Sequence, residues 1–279
     1  MNLDNIMNDD NFYILNENNN VAYYSLLIGI TEYFRTYNRI CIYLSKYQKG
    51  NKDSINRKAK ENVRFLKSYL NIAIHIQHFF ELETKRLLEK EHVLFSLDDK
   101  GDPIILNKLI KNMSLSSEEI KKLKSVEFSE ALIRLRKLVD CGVVTDEIAV
   151  IFRDNHKLLG VLNQLRNTTI HKGRKIMHYC ELDELFSRYI FPLVKDLLEH
   201  EEYSRYLSNF KQVGIYDAII KIINEGKKPV LDYSVIAYEK EMVRCKEKRS
   251  KIEKLNEETD EKYIKQVIVY FVHLSPSAR

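Results

Sequence analysis

Glycine and proline are scarce in this chain: eight and four among 279 residues leave little material for the turns of an all-β protein and favour long helices. Cysteine is as sparse. Cys41, Cys141, Cys180 and Cys245 are far apart and show none of the CxxC spacing a zinc site needs, so they read as reduced thiols in the core or at the surface. The longest uncharged run, Asn18–Thr31, is too short to span a bilayer and is followed at once by Glu32, Arg35 and Arg39, so no membrane partner is expected. The opening MNLDNIMNDDNF is acidic and polar, unlike a signal or transit peptide, which makes cytoplasmic residence the default expectation. Metal motifs are missing as well. HIQH at His75–His78 has the wrong spacing for HExxH and lacks its glutamate, and DDKGD, from Asp98 to Asp102, lacks the spacing and closing Glu of an EF-hand. Neither metal nor cofactor is expected.

Apolar residues make up 44% of the chain and charged residues 30%, a balance that fits a soluble globular protein with one large core or one domain and its extensions. The net charge of +5 permits a nucleic-acid partner without demanding one. Leu26, Ile30, Phe34, Tyr37, Cys41 and Leu44 recur at helical spacing and predict a helix from Val21 to about Tyr47. Its tyrosines invite a base-stacking role, although a tyrosine-rich amphipathic helix more often serves packing. A second helix is predicted from an N-cap at Asp53 or Ser54 to about His92, with Leu66, Leu70, Ile74, Gln77 and Glu81 on one side. A short helix over Ile104–Met113 follows, then one from the capping box of Ser116 and Glu119 to about Val139. Two more run from Glu147 to about Thr169 and from Glu181 to about Glu199, the last kinked or split by Pro192. Beyond His200 the pattern is helical over Tyr203–Glu225. The β-branched and aromatic stretches Pro229–Tyr238 and Ile264–His273 read as strands, with a charged helix between them. The expected fold is mainly α: an antiparallel helical bundle over residues 51–200, an N-terminal helical extension over 1–50 and a small α+β C-terminal extension over 201–279.

The most informative stretch is Leu158–Lys175, LLGVLNQLRNTTIHKGRK. Leu158, Leu162, Leu165 and Thr169 lie on one side of a helix, with Arg166 at the edge of that stripe. The β-branched run Thr168, Thr169, Ile170 weakens helix continuation, and Gly173 is available as a C-cap, so the helix is expected to fray or end inside the stretch. This matters because residues five apart on an ideal helix point about 140° away from each other. Arg166 and His171 converge on one ligand only if the turn opens. A guanidinium is a forked donor suited to phosphate oxygens, an imidazole gives or takes a proton near neutral pH, and an amide orients either. Together they form a set for phosphoryl transfer. No acidic residue lies between Asn163 and Cys180, while Arg166, Lys172, Arg174 and Lys175 supply positive charge that would draw a polyanion.

At these residues, Arg166-Asn167-x3-His171, the chain resembles the R-x4-6-H motif of HEPN domains, many of which are metal-independent endoribonucleases of toxin, antiphage and RNA-processing systems. A second match to the spacing runs from Arg86 to His92. The Arg166 match is favoured by its adjacent Asn, the apolar helix before it, the Gly after it, and an upstream helix whose FELETKRLL resembles the first long helix of such domains. The resemblance covers residues 54–200. It implies an HEPN-like bundle in which His171 is the general acid/base, Arg166 stabilises phosphorane charge and Asn167 holds phosphate or imidazole. Lys172, Arg174 and Lys175 would bind RNA phosphates, with His75, His78 and Glu81 as a candidate second shell. It also implies RNA as substrate, a homodimer that builds the site across its two-fold axis, and an antitoxin or other regulatory protein as a partner. Two readings of another class stand beside it. One is a non-catalytic helical module, RNA- or nucleotide-binding or a scaffold in a defence or toxin–antitoxin complex. The other is a helical protein in which Arg166 makes a salt bridge and His171 caps a helix end.

Overall fold

A computed structural model describes residues 20–37, 52–98, 102–170, 173 and 175–258. In chain order the helices are α1 (Val21–Arg35), α2 (Lys52–Lys60), α3 (Val63–Glu91), α4 (Pro103–Ile110), α5 (Ser117–Lys122), α6 (Phe128–Asp140), α7 (Glu147–Asp154) and α8 (His156–Ile170). They continue with α9 (Tyr179–Leu185), a π-helical turn (Phe186–Ile190), α10 (Phe191–Glu199), α11 (Ser204–Gln212), α12 (Ile215–Gly226) and α13 (Tyr233–Glu258). Among the described residues the only extended pairing is an isolated bridge between Leu97 and Ser125, and the protein is mainly α.

Local chemistry explains most boundaries. Asn20 accepts from the Ala22 amide at 2.7 Å and so caps α1. The capping box of Ser116 and Glu119 forms with both of its bonds. Asp146 accepts from Ile148 and Ala149 at the start of α7. Several helices expected as single rods are broken. The rod foreseen up to His92 is two helices, α2 and α3, separated at Glu61 and Asn62, and α2 begins at Lys52, before the foreseen caps. The helix from Ser116 stops at Lys122, the chain makes its bridge to Leu97 at Ser125, and helix resumes at Phe128. Pro192 lacks the amide that an α-turn would use, and the chain passes through the wider π turn just before it instead of breaking.

The strand expected at Pro229–Tyr238 is not one. Asp232 accepts from both the amide and the hydroxyl of Ser234 and starts α13, whose Ile236, Ala237, Lys240 and Val243 are buried at helical spacing. The β-forming character of its residues gives way to this cap and this burial. The companion strand at Ile264–His273 lies outside the described residues, as do Cys41 and the second half of the helix foreseen up to Tyr47.

The chain forms two compact units, each drawn from two segments: Met1–Tyr33 with Val63–Met177, and Phe34–Asn62 with His178–Arg279. The first unit is built on α3. Phe65, Tyr69, Ile72, Ala73, Ile76, Phe79, Phe80, Leu87 and Leu88 form its buried face, whereas Leu70 and Ile74 of the foreseen stripe stand exposed. The α3 sequence is apolar on more than one face, so several phases fit its periodicity. α1 lies close on α3, and Gly29 makes that approach feasible, because a Cβ there would come within 2.7 Å of the buried Ile76 side chain. α8 runs antiparallel to α3: Tyr69 near the start of α3 meets Thr169 near the end of α8, and Phe80 farther along meets Phe152 of α7. In the second unit Phe34 stacks on Phe191, which Phe186 meets edge-on, and α12 crosses the π turn closely enough that Gly226 has no room for a Cβ beside the Ser187 carbonyl.

Candidate functional site

α8 is held to the first unit by Leu159, Leu162 and Thr169, all buried, with Leu158 and Leu165 half-buried at its margins. The foreseen ridge is therefore shifted by one residue at its first position and kept at Leu162 and Thr169. Near the C-terminal end, the Tyr69 and Thr169 hydroxyls share a hydrogen bond of 3.3 Å. Tyr69 was not singled out from the sequence. Its signal is its place on the α3 phase that is buried, seven residues before Ile76.

Arg166 lies four residues after Leu162 and three before Thr169, so it shares their side of the helix and is half-buried rather than fully solvated. Its Nη1 donates to the Asn167 Oδ1 at 2.9 Å. That bond occupies the amide oxygen of Asn167, leaving the NH2 end as a donor to an anion. The helix is described as far as Ile170, and Gly173 lies outside it, in keeping with an end inside the stretch. Three residues on, Gly173 adopts φ 57°, a left-handed conformation that strains any residue with a Cβ. His171, Lys172 and Arg174 lie outside the described residues; Lys175 is exposed.

The other candidates sit along α3, away from the Tyr69 end. His78 Nδ1 is 2.9 Å from the Ser25 hydroxyl of α1. Glu81 accepts from Gln77 at 2.9 Å and Lys85 at 2.7 Å; burial pushes its carboxyl up, but those bonds bring it below the ordinary carboxylate value. His75 is held below the ordinary imidazole value, chiefly by burial and further by His78, with Glu32 pulling the other way. The structure thus groups His75 and His78 with α1, and Glu81 with its own helix.

Arg86 and His92, the second pair at motif spacing, are engaged locally. Arg86 donates to the buried Glu83 at 2.8 Å, and the His92 ring accepts from the Leu94 amide at 3.2 Å and caps a 3-10 turn. Of the two matches, only the one at Arg166 stands at a helix end followed by a cationic stretch. Among the described residues no group of three His, Cys, Asp or Glu side chains could hold a metal ion, and no helix is long and apolar enough to cross a membrane. Comparison with protein-family models, with curated proteins and with solved structures finds no match to this chain.

Proposed function

We propose that the chain is a metal-independent endoribonuclease of HEPN type, serving as a toxin or antiphage-defence effector. The observation that carries this reading is the Arg166–Asn167 pair on the last buried turn of α8, bonded at 2.9 Å, a few residues before the chain is out of the helix at Gly173. Arg166 and His171 converge on one ligand if the chain leaves the helix between them.

In the proposed reaction the RNA 2′-oxygen attacks the adjacent phosphorus. His171 takes the 2′ proton, the new P–O2′ bond forms, the P–O5′ bond breaks, and the departing O5′ is protonated by an imidazolium, leaving a 2′,3′-cyclic phosphate. Arg166 faces the equatorial oxygens, where charge develops in the phosphorane. Asn167, its oxygen held by Arg166, donates from its NH2 to the same phosphate. Lys172, Arg174 and Lys175 hold the flanking phosphates. The protein works as a homodimer with the two Leu158–Lys175 segments facing one cleft; exposed Leu70, Ile74 and Ile170 on α3 and α8 support association on that side. An antitoxin or regulatory protein would restrain the activity in the cell.

The test is cleavage of single-stranded RNA by the full chain in EDTA. Cyclic phosphate ends should appear, and a 2′-deoxy residue at the cut should block the reaction while sparing phosphate contacts. His171→Ala should lose about 10²–10⁴-fold in rate. Arg166→Lys should fail nearly as badly as Arg166→Ala, because an ammonium keeps the charge but not the fork. Induced expression should arrest growth with the wild type and not with either alanine variant. A His171→Ala protein that cuts at the wild-type rate refutes the mechanism, and binding without cleavage in every form assigns the chain to the non-catalytic modules.

A further inference from the structure

The face of α8 that carries Arg166 and Asn167 has a third polar side chain. Asn163 lies three residues before Arg166 and four before Asn167, so it stands one turn nearer the start of the helix and between the two in angle, about 60° from the first and 40° from the second. All three are half-buried. One turn further back the same sector holds Leu159, which is 0% exposed and belongs to the core, so the polar face begins at Asn163 and runs toward the motif.

Arg166 Nη1 and the Asn167 amide oxygen are bonded to each other, whereas the Asn163 amide bonds no described residue. Elsewhere in this unit Asn155 spends its amide on the Ile151 carbonyl and Gln77 on Glu81, both at 2.9 Å. Asn71 of α3 is also unbonded, but two residues from Tyr69 it lies about 160° round the helix from the side that meets α8. Local structure does not account for Asn163: asparagine is among the weaker helix formers, and a leucine at a half-buried site would both propagate the helix and cover the core. The turn it occupies is also uncharged, with no Lys, Arg, Asp or Glu from Leu158 to Leu165. On the motif side of Arg166 the chain offers cations, which suit phosphates; on this side it offers an acceptor oxygen beside an NH2 donor, which suits the edge of a base.

We propose that Asn163 is a specificity-determining residue of this site: it hydrogen-bonds the base of the nucleotide whose 2′-oxygen attacks, and it selects adenine. The proposal rests on the ribonuclease reading for the substrate, and on the helical register, the uncommitted amide and the uncharged turn for the residue. An asparagine amide donates to a ring nitrogen of adenine while accepting from its exocyclic amine, and the unpaired bases of single-stranded RNA leave those edges open. Asn163 touches no reacting atom and leaves the chemistry to Arg166 and His171.

The experiment uses the full-length protein and four oligoribonucleotides that carry 2′-O-methyl groups everywhere except at one nucleotide, which is A, C, G or U. The single free 2′-hydroxyl fixes the cut, and the ratio of kcat/KM among the four within one protein cancels whatever a substitution does to folding or net charge. The wild type should favour adenine by about tenfold, the discrimination a two-bond contact to a base supplies. Asn163→Leu should cut all four alike while keeping its rate on the other three. Asn163→Asp, whose carboxylate only accepts, should move the preference to cytosine, whose exocyclic amine donates. A wild type that does not favour adenine, an Asn163→Leu protein that keeps the wild-type preference, or one whose rate falls by the same factor on all four substrates overturns the proposal. Equal cutting of the four by a wild type whose activity is lost in Arg166→Ala removes the role of Asn163 and leaves the ribonuclease reading standing. A wild type with its helical circular dichroism intact that cuts none of the four removes both.

Discussion

Lys240 in the second unit has 0% of its side chain exposed, as has Asp183, its ion-pair partner. Thr36 and Tyr179 accept from the same ammonium at 3.0 and 3.2 Å, and the Tyr179 ring lies 4.6 Å from it. In the first unit, Lys67 and Lys175 are exposed and Arg166 is half-buried beside its asparagine. A charge taken out of water must be fully re-solvated by protein, so the Lys240 cluster fixes how α13 seats on α9 and the end of α1. A charge left at the surface is kept at little cost and remains available to an anion from outside. The second unit therefore invests its polar groups in structure. Even the Cys180 thiol there, pushed up to about 12 by burial and by Asp183, is held protonated and unreactive.

The largest effect should come from breaking the buried pair. Lys240→Ala leaves the Asp183 carboxylate enclosed without its counter-ion and should cost about 3–5 kcal/mol, read from denaturant unfolding followed by circular dichroism. Replacing both partners, Lys240→Met with Asp183→Leu, should recover most of that loss, because shape is kept and no charge is left buried. A double variant as unstable as the single one would mean that the cluster does more than neutralise itself. Lys67→Ala should leave the midpoint within about 0.5 kcal/mol of wild type, as expected for a surface substitution.

How much of this contrast the sequence discloses depends on how local its causes are. The Ser116–Glu119 box and the Asp146 cap are set by residues within a few positions of each other, and both are readable from composition and spacing. The core phase of α3 is not, because Phe65, Leu66, Tyr69, Leu70, Ile72 and Ile74 offer apolar stripes in several directions and only the packed neighbours choose between them. The cap at Asp232 was present to be read, but the β-forming residues around it obscured the helical spacing of Ile236, Lys240 and Val243. Nothing local announces that Lys240 will meet Thr36, 204 residues earlier in the chain. The candidate site is legible as a motif and not as a place: the spacing of Arg166, Asn167 and His171 identifies it, while Tyr69 and the start of α3 emerge only from the fold.

A smaller effect should separate positioning from stability at the motif. Tyr69→Phe removes the bond to Thr169 while keeping the ring in the core, which should cost about 1 kcal/mol in unfolding experiments. If that bond seats the end of α8, RNA cleavage should fall by more than the loss of folded protein explains. Cleavage that tracks the folded fraction alone would make Tyr69 a core residue only.

The smallest effect is a pH dependence confined to the first unit. Protonated imidazole carries two N–H donors, and the Nδ1 of His75 is buried with no hydrogen-bond partner, so the folded state resists the second proton. Burial is the main cause of the lowered value; His78 adds to it, and Glu32 opposes it without reversing the sign. The unfolded chain accepts the proton at about pH 6.5 and the folded chain only at lower pH, so the unfolded state binds more protons between the two values. Stability is thus complete above about pH 6.5 and declines as the pH falls below it. The carboxylates held below their ordinary value, Glu81 and Asp146, act in a separate range, since their contribution persists until the pH nears about 4. Unfolding midpoints taken between pH 7.5 and 5.5 should therefore fall for the wild type and fall less for His75→Gln, whose amide does not titrate. Equal declines in the two proteins would show that the enclosed nitrogen is re-solvated when the ring is charged, and would remove His75 from the groups that couple folding of this unit to pH.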